Sequence, residues 1–588
     1  MKEKAVALAL ALAAFLATAL VYREGGSIEI DFERGYEGAF VDGFHPRERA
    51  EGKFFRWTDD ASYVELRNLR PGGALVVETR LKTIRPAGEP LPSLAFSANG
   101  VTVHRARALP GVVTYRFEFP STASRLRLGI ESETFEAAGG RKLGVQVLGI
   151  RIHRGEEPLS WIRPALWMAL GALLLLAAGV LANLSFSVAA AGALVLTLAF
   201  EHLLRLDAVR FTTYPREVAL LAAGALVAAV LLRAALDRAG WLDSSQRSAA
   251  VGIVTLLFLV KMAFLSYPLT LSSDADFQAN RMSELLQGNW HPTSVTQHEE
   301  PFRIPYPVSL YVVAAPLAIL GVDLVPALEI TTGIFDVLIS GLLMFLAWRY
   351  LDDFRAGALA GVLYQLVPMN ALSFSAGNFT NLFAVAMLTL AFVFLLASRA
   401  KAAAISNLVA LTAHFGMLLE GLVLWPLWIA LRRDSRKRIG LAIAVSFLLA
   451  GVYYLGYLDL FRSQWRRALS GGGPVAGGVG ARFALLGEQL GWVFLATAIL
   501  GSTAFARRRL ELGWLTVTHL FFGIDLFTAV EIRYWLQALP LLALFAGAYL
   551  SRAFDRGVVG KTAALVVLAY IGVVGLRILY ESMVLRYH

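Results

Sequence analysis

Two patterns of hydrophobic and polar positions divide the chain. Apolar runs of roughly 17–25 residues, long enough to span a hydrocarbon core of about 30 Å, begin at residue 5 and resume at Trp161. The later runs predict helices at residues 162–182, 186–204, 216–236, 248–268, 327–349, 355–373, 380–398, 439–457, 488–505, 512–530, 533–550 and 562–580. Residues 402–431 predict two short helices or a re-entrant pair. Residues 306–320, which prolines interrupt, predict a helix lying at the membrane interface.

The first apolar run, within residues 1–24, has two interpretations. It is either a transmembrane helix that serves as a signal anchor or a cleaved signal peptide, because Ala17-Thr-Ala19 would suit a signal peptidase. Both interpretations place the residues that follow outside the membrane.

Residues 25–158 carry the second pattern, in which apolar and polar residues alternate. Examples are Ser27-Ile-Glu-Ile-Asp-Phe and Val113-Thr-Tyr-Arg-Phe-Glu-Phe, and turn residues separate such runs. Alternation with a period of two is typical of half-buried β-strands. Several strands over this length predict an extracytoplasmic β-sandwich domain.

Composition supports a membrane protein. The chain has 588 residues, of which 57% are apolar and 17% are charged, and its mean hydropathy is +0.59. Soluble domains carry about 25% charged residues. There is no cysteine, which excludes disulfides, thiol catalysis and thiolate metal sites. The net charge of +10 lies largely in short loops, where the positive-inside rule explains it, so we expect no nucleic-acid partner.

The basic loops also set the orientation. With Met1 inside, the following loops fall inside as well: Arg349/Arg355, Arg399/Lys401, Arg432–Arg438, Arg507–Arg509 and Arg552/Lys561. We therefore predict a mostly α-helical, multi-pass protein of the plasma membrane with about thirteen to fifteen crossings. Residues 159–247 form additional transmembrane helices, and residues 248–588 form a membrane core with outer loops 269–305 and 458–487.

The first outer loop carries two carboxylates immediately beyond the membrane boundary, Asp274 and Asp276. Carboxylates beside a low-dielectric region can act as a general base or hold a divalent metal such as Mg²⁺ or Mn²⁺. The alternative is a solvated helix N-cap, since Asp is a preferred capping residue. The amphipathic pattern of residues 277–286 predicts a short helix along the surface.

The first outer loop contains, in order, Asp274-Ala-Asp276, the amphipathic segment with Arg281, and Gly288-Asn-Trp-His-Pro292. This arrangement resembles the first outer loop of the GT-C glycosyltransferases. The following stretch, Tyr306-Pro-Val-Ser-Leu-Tyr311 with Pro316-Leu-Ala-Ile-Leu-Gly321, is similar to the segment that follows in those enzymes.

Two further stretches are similar to a particular branch. Leu366-Val-Pro368, Ser375-Ala-Gly-Asn378 and Ala413-His414 resemble the membrane proteins labelled as related to 6-pyruvoyl-tetrahydropterin synthase. Gly43-Phe-His-Pro46 with Phe55-Arg-Trp-Thr58 looks like a β-sandwich module attached to some membrane glycosyltransferases. In this interpretation residues 248–588 are a GT-C-like membrane core.

The resemblance implies transfer of a sugar from a polyprenyl-phosphate carrier to a glycan, lipid or protein acceptor outside the membrane. The family places an outer-loop Asp as the base, which matches Asp274 here, with Asp276 as the second candidate. The chain departs from the family in two ways. The Trp-Trp-Asp-Tyr-Gly signature of oligosaccharyltransferases is missing, and Ala275 stands where a second acidic residue usually follows the first.

Other polar residues are candidates for the substrate site. Arginines are expected at the lipid phosphate, because guanidinium binds phosphate bidentately, although interfacial arginines also contact lipid headgroups. These arginines are Arg281, Arg466, Arg467 and Arg533. The expected pocket residues are Glu299, Glu300, Tyr306, Asn378 and His414. For Glu299 and Glu300 a solvated turn is the alternative, and for His414 it is a hydrogen-bonded packing role.

Two other functions compete with glycosyl transfer. One is a transporter or flippase of lipid-linked glycans, which would need a polar pathway and often shows broken helices. The other is a non-catalytic envelope protein that binds glycans through its sandwich. The chain has neither a Walker A motif nor a Rossmann fingerprint, which disfavours ATP-driven transport.

Overall fold

The structure is a computed structural model that describes residues 2–23, 27–33, 37, 40–50, 52–66, 73–123, 125–137, 140–154, 162–206, 214–265, 274–295, 303–431, 436–462, 487–503 and 536–583. It is mostly helical, with a β-domain near the N-terminus. The chain divides into two compact units. The first consists of Met1–Arg238, Ser266–Thr270 and Met583–His588, and the second of Ala239–Leu265 and Leu271–Ser582.

Four apolar helices of the first unit flank its β-domain along the chain. They are α1 (Lys2–Arg23), α2 (Ile162–Leu181), α3 (Phe186–Leu206) and α4 (Tyr214–Ala239). Helix α1 packs against α2 and α3. The side chain of Thr18 on α1 donates a hydrogen bond to the buried carboxylate of Glu201 on α3.

The β-domain is an antiparallel structure, as the alternating pattern predicts. Its strands are β1 (Ser27–Asp31), β2 (Val41–Phe44), β3 (Glu48–Ala50), β4 (Lys53–Leu66), β5 (Ala74–Thr83), β6 (Ser93–Ala98), β7 (Val101–Arg107), β8 (Gly111–Pro120), β9 (Leu126–Ser132), β10 (Phe135–Ala137), β11 (Arg141–Leu143) and β12 (Gln146–Arg154). The main sheet has the order β7-β6-β9-β4-β12-β5-β8, while β1 pairs with β12 and β2 and β3 pair with β4.

Strand β4 joins the two halves of this sheet. Its 14 residues pair with β9 through residues 61–66 and with β12 through Arg56 and Trp57. The halves face each other through buried aromatic rings. The ring centroid of Phe96 on β6 lies 4.8 Å from that of Phe117 and 5.8 Å from that of Tyr115, both on β8. The result is a two-layered, barrel-like β-domain, which agrees with the predicted sandwich.

The described residues of the second unit form helices and a short hairpin. Its elements are α5 (Ser244–Leu265), α6 (Ala275–Leu286), β13 (Thr293–Val295), β14 (Arg303–Pro305), α7 (Ser309–Ile319), α8 (Leu324–Leu351), α9 (Phe354–Leu366), α10 (Pro368–Ser375), α11 (Phe379–Leu396), α12 (Ala400–Leu411), α13 (Phe415–Leu431), α14 (Arg436–Tyr454), α15 (Trp492–Ser502), α16 (Leu539–Phe554) and α17 (Gly557–Met583). Helix α8 contacts α5, α6, α7, α9 and α11 and is therefore central to this unit.

Nine helices in the described part of the chain are long and apolar enough to cross a membrane. They coincide with α1 to α5, α8, α11, α14 as extended to Arg462, and α17. The bent pair α9 and α10 makes a tenth span if it is counted as one. These helices fit the predicted multi-pass architecture. The predicted helix at 512–530 and the start of the one at 533–550 lie outside the described residues.

The structure defines several of the predicted segments more closely than the sequence did. Residues 402–431 form two short helices, α12 and α13, and residues 306–320 form α7, which buries Leu310, Tyr311 and Ala314. The predicted helix at 355–373 is broken instead, with α9 and α10 meeting at 45°. The break falls at Pro368, because proline lacks the backbone N–H that a continuous helix requires and restricts the residue before it.

Helix α17 approaches the end of α9 closely at Leu366. A Cβ atom added to Gly575 on α17 would overlap the carbonyl oxygen of Leu366, the last residue of α9. Glycine therefore permits the two backbones to approach more closely than any larger residue would. Gly572, one turn earlier on α17, has more room, since its added Cβ would lie 3.8 Å from Cδ1 of Leu366.

Candidate functional site

The candidate carboxylates lie where helix α6 begins. Asp274 is the N-cap residue of α6 and is half-buried, whereas Asp276 in its first turn is exposed. The backbone N–H of Asp274 donates to the carbonyl oxygen of Ala376 at 3.2 Å, and its own carbonyl accepts from Gln278 N–H at 2.9 Å. The main chain at Asp274 is thus fixed between α6 and the turn that joins α10 to α11.

The side chain of Asp274 does not act as a helix cap. Its carboxylate makes no capping hydrogen bond, although the residue occupies the N-cap position. Among the described residues neither Asp274 nor Asp276 has a hydrogen bond or ion pair through its carboxylate. The capping explanation rests on such a bond. Asp274 therefore presents proton-accepting oxygens on a backbone that is held in place.

The buried face of α6 is tied down by hydrogen bonds between side chains. Gln278 donates through Nε2 to the hydroxyl of Tyr306 at 2.8 Å and accepts at Oε1 from the hydroxyl of Tyr311 at 2.6 Å. Gln278 and Tyr311 are almost completely buried. Because a buried amide is costly unless it is paired, these bonds fix the rotation of α6.

Arg281 is engaged by residues of the same loop. Its Nη1 donates to the carbonyl oxygen of Thr293 at 2.6 Å and lies 2.7 Å from Oε1 of Glu284. Its guanidinium also lies 5.3 Å from the ring centroid of Phe277. These contacts connect α6 to strand β13. Lipid-phosphate binding by Arg281 stays a prediction.

A hairpin follows α6 and is fastened by aromatic residues at the end of α14. The hydroxyl of Tyr457 lies 3.1 Å from the carbonyl oxygen of Pro292 and 3.3 Å from that of Tyr306, either of which can accept its single proton. The ring of His291 stacks on Tyr453 with centroids 5.2 Å apart. The predicted pocket residue Tyr306 is therefore held by its backbone carbonyl, by its hydroxyl and by its ring, whose centroid lies 5.0 Å from that of Phe277.

Two more turns complete the region. Asn378 is the N-cap residue of α11, is mostly buried and follows Gly377, whose φ of +79° suits glycine. The second turn joins α12 to α13, where Ser309 N–H donates to the carbonyl oxygen of Thr412 at 3.1 Å. Nδ1 of His414 accepts from Gly416 N–H at 3.2 Å. We call residues 274–295, 303–309, 376–378, 412–414 and 453–457 together the loop end of the second unit.

The loop end brings together six of the predicted site residues: Asp274, Asp276, Arg281, Tyr306, Asn378 and His414. The direct contacts join Asp274 to the turn before Asn378, and Gln278 of α6 to Tyr306. No direct contact joins the Asp274 carboxylate to Arg281 or His414 within the described residues. The remaining predicted residues lie outside them: Glu299, Glu300, Arg466, Arg467 and Arg533.

Metal binding by the two carboxylates has limited support in this geometry. Among the described residues there is no group of three or more acidic or histidine side chains that could hold a metal ion. Mg²⁺ is commonly bound through one or two carboxylates plus substrate phosphate oxygens. Asp274 and Asp276 could provide two such carboxylates, so a divalent cation stays a prediction.

A buried polar network beside the loop end was not predicted from the sequence. Lys261 on α5 and Asp336 on α8 form an ion pair with Nζ 2.7 Å from Oδ2, and their side chains are 3% and 0% exposed. Nζ of Lys261 also donates to Oδ1 of Asn370 at 2.6 Å and to Oε1 of Gln365 at 3.3 Å. Oδ1 of Asp336 accepts from Tyr364 at 2.8 Å and from Asn370 at 2.9 Å.

The sequence does contain a signal for this network. Lys261 and Asp336 are isolated charges within the apolar runs that become α5 and α8. Charged residues inside membrane helices are rare and usually pair with one another. Their pairing across 75 positions of sequence could not be assigned without the fold.

Comparisons with known proteins identify no family. No family model matches the chain, and no curated protein matches it. Among solved structures, the chain is similar to the C-terminal CBM6 of LamC, a marine laminarinase from Zobellia galactanivorans. The sequence identity is 11%, the match covers 22% of this chain and 100% of that chain, and the TM-score is 0.17. A likeness at that TM-score carries no argument about this protein.

Proposed function

We propose that this protein is a multi-pass membrane glycosyltransferase of the GT-C type that transfers a sugar from a polyprenyl-phosphate carrier, with Asp274 as the general base. The observation that carries the proposal is the carboxylate of Asp274, which is half-buried, free of a capping bond and set on a fixed backbone. The motifs of the loop end supply the resemblance. The nine apolar helices support placement in a membrane.

The proposed reaction is a substitution at the anomeric carbon of the donor. An acceptor hydroxyl forms the new C–O bond while the bond between that carbon and the lipid phosphate oxygen breaks. The hydroxyl proton passes to the carboxylate of Asp274, and the polyprenyl phosphate leaves with the bonding electron pair. A general base must lie within about 3 Å of the hydroxyl, or reach it through one water.

The surroundings of Asp274 suit this role. The bonds from Gln278 to Tyr306 and Tyr311 hold α6 in one orientation, so a substrate would meet a preformed surface. Preorganisation of this kind lowers the entropic cost of bringing reactants together. In the proposed topology the loop end and residues 25–158 face the outside of the plasma membrane, where a lipid-linked donor would reach Asp274 from the bilayer. Arg466, Arg467 and Arg533 stay predicted contacts of the lipid phosphate.

The test is sugar transfer by the purified full-length protein in lipid nanodiscs. The probes are polyprenyl-phosphate monosaccharides labelled in the sugar, with glycolipids from the expressing membranes as acceptors. We expect Asp274→Asn to lower turnover by about 10²–10⁴-fold, the usual contribution of a general base. Asp276→Asn should have a smaller effect, because Asp276 is exposed.

Asp323→Asn is the matched control. Asp323 is also an N-cap residue without a capping hydrogen bond, at the start of α8, and it is exposed. It should retain full turnover. If Asp274→Asn and Asp276→Asn both transfer sugar at the wild-type rate, neither carboxylate belongs to the mechanism.

A second candidate function is movement of a lipid-linked glycan across the bilayer. The observation that favours it is an ion pair buried among apolar helices next to a broken helix, features that recur in transporters. The network around the pair is closed, with each charge already paired, which disfavours a transport path through it. Vesicles that move a fluorescent lipid-linked glycan between leaflets without altering it would replace the first proposal with this one.

A further inference from the structure

The short helix α10 connects the buried ion pair to the candidate base. It contains eight residues and is separated from α9 by the break at Pro368. The carbonyl oxygen of Ala376, immediately after α10, accepts the backbone N–H of Asp274. The position of α10 therefore sets the position of a direct backbone partner of Asp274.

The ion pair holds α10 through one face of that helix. Asn370 accepts from Lys261 and donates to Asp336, so one amide bridges both charges. Phe374, one turn later, places its ring centroid 4.6 Å from Nζ of Lys261. Because Asn370 and Phe374 are four residues apart, they lie on the same side of α10. The break at Pro368 interrupts the backbone hydrogen bonding between α9 and α10. The contacts of Asn370 and Phe374 therefore help to hold α10 in place.

The network does not itself form a ligand site. The ammonium of Lys261 has three hydrogen-bond acceptors, which matches its three protons. Both carboxylate oxygens of Asp336 are hydrogen-bonded, and the main-chain carbonyl of Asp336 accepts from Gln365 at 2.9 Å. Lys261, Asp336, Gln365 and Asn370 are each at most 4% exposed. A closed, satisfied network of this kind rigidifies its surroundings.

We propose that Lys261 and Asp336 are positioning residues that act through Asn370. They fix α10, and α10 fixes the turn that holds the backbone of Asp274. The catalytic part of this inference rests on the proposed glycosyl transfer. The positioning of α10 is independent of it and can be measured separately.

The first measurement is the distance between α6 and α10. The chain has no cysteine, so cysteines introduced at Asn280 and Leu372 can be spin-labelled without background. Both positions are exposed, on α6 and α10 respectively. We expect one narrow distance distribution by electron paramagnetic resonance. Asn370→Leu removes the bridge and keeps the ion pair, and it should broaden or shift that distribution.

Asn407→Leu is the matched control. Asn407 is as fully buried as Asn370 and also forms two side-chain hydrogen bonds, donating to Ser446 at 2.6 Å and accepting from Trp425 at 2.9 Å. It lies on α12, away from the ion pair. The variant Asn407→Leu tests whether the loss of any buried amide disturbs the second unit. It should leave the distance distribution between α6 and α10 unchanged. If Asn370→Leu does not fold, Asn370→Ala is the smaller change to measure.

The second measurement separates positioning from substrate binding. A misplaced reacting group can cost about 10²-fold in rate, so we expect Asn370→Leu to lower kcat strongly and leave the KM for the labelled donor nearly unchanged. Asn407→Leu should keep the wild-type kcat. If kcat falls equally in Asn370→Leu and Asn407→Leu, the effect is a general structural one and the inference is overturned.

The other outcomes are equally distinct. An unchanged distance in Asn370→Leu, or the same change in Asn407→Leu, overturns the positioning of α10. A changed distance with full kcat overturns the link from α10 to Asp274. If the wild type transfers no sugar while Asn370→Leu selectively changes the distance, the proposed function fails and the positioning of α10 stands.

Discussion

Removing the charge of Lys261 is the most informative perturbation of the second unit. Lys261→Met keeps an unbranched side chain that reaches the Cε position and deletes the ammonium. The carboxylate of Asp336 then stays fully buried, with hydrogen bonds from Tyr364 and Asn370 and without a counter-charge. The variant therefore converts a buried ion pair into a buried single charge.

The structure sets the size of the expected effect. Breaking a buried pair by removing one partner costs about 3–5 kcal/mol, because the remaining charge is uncompensated. Both side chains are at most 3% exposed, which places this pair in that class. Removing both charges should cost much less, since an apolar or neutral replacement of the whole pair is often tolerated. In Lys261→Met/Asp336→Asn we expect most of the loss to be recovered.

The assay is equilibrium unfolding of the purified chain in mixed micelles with increasing SDS, followed by tryptophan fluorescence. The control is the pair between Arg577 and Glu581 on α17, which has nearly the same length, 2.6 Å, with side chains 73% and 46% exposed. Exposed pairs contribute little to stability because solvent screens them, so Glu581→Gln should leave the free energy of unfolding almost unchanged.

Two results would refute this reasoning. The first is that Lys261→Met lowers the free energy of unfolding no more than Glu581→Gln does. That result would mean that burial does not govern the strength of the pair. Alternatively, the double variant could be less stable than Lys261→Met, which would mean that the loss comes from packing around Lys261 and not from the unpaired carboxylate of Asp336.

Two further predictions concern other parts of the chain. Gly575→Ala should destabilise by about 1–3 kcal/mol because its Cβ overlaps the Leu366 backbone, whereas Gly572→Ala should be neutral or stabilising by up to about 1 kcal/mol, as the same unfolding assay would show. In the β-domain, burial tends to raise the pKa of Glu33, but Lys53 and Arg80 outweigh it and lower the pKa below the ordinary 4.5. This stabilisation is present above that value and is lost as the pH falls through the lowered pKa. Thermal unfolding between pH 7 and pH 3 should therefore show a smaller acid-induced loss in Glu33→Gln than in the wild type.

The elements of the fold were predictable where the signal is local. A run such as residues 327–349 contains only three charged residues, Glu329, Asp336 and Arg349, so its helical state follows from its length and apolar composition. Strand β8 follows from strict alternation, with Tyr115, Phe117 and Phe119 buried and the residues between them exposed. In both cases the pattern repeats within one element and needs no distant partner.

The features that the sequence did not show depend on distant residues. Pro368 was visible, yet whether it bends, breaks or ends a helix depends on what packs against it. Gln278 looked like one polar position on an amphipathic helix. Its role follows from Tyr306 and Tyr311, which reach it only after the hairpin has folded back.

The sequence names candidate site residues, whereas their geometry depends on the fold. From the sequence, Asp274 could be either a helix cap or a general base, because both roles use an acidic residue at the start of a helix. The structure places Asp274 at the cap position without the capping bond. Whether the Asp274 carboxylate caps the helix depends on a side-chain torsion and on the contact with Ala376. The local sequence pattern predicts neither.

The close approach of Gly575 to Leu366 has a consequence for biosynthesis. Helices α9 and α10 leave the ribosome long before α17, so in the proposed membrane placement the backbone at their break would enter the bilayer before α17 lies against Leu366. During that interval its carbonyl groups would have to find water, lipid headgroups or a chaperone. A nascent chain arrested before Gly575 should therefore be a better target for membrane quality-control proteases than the finished protein.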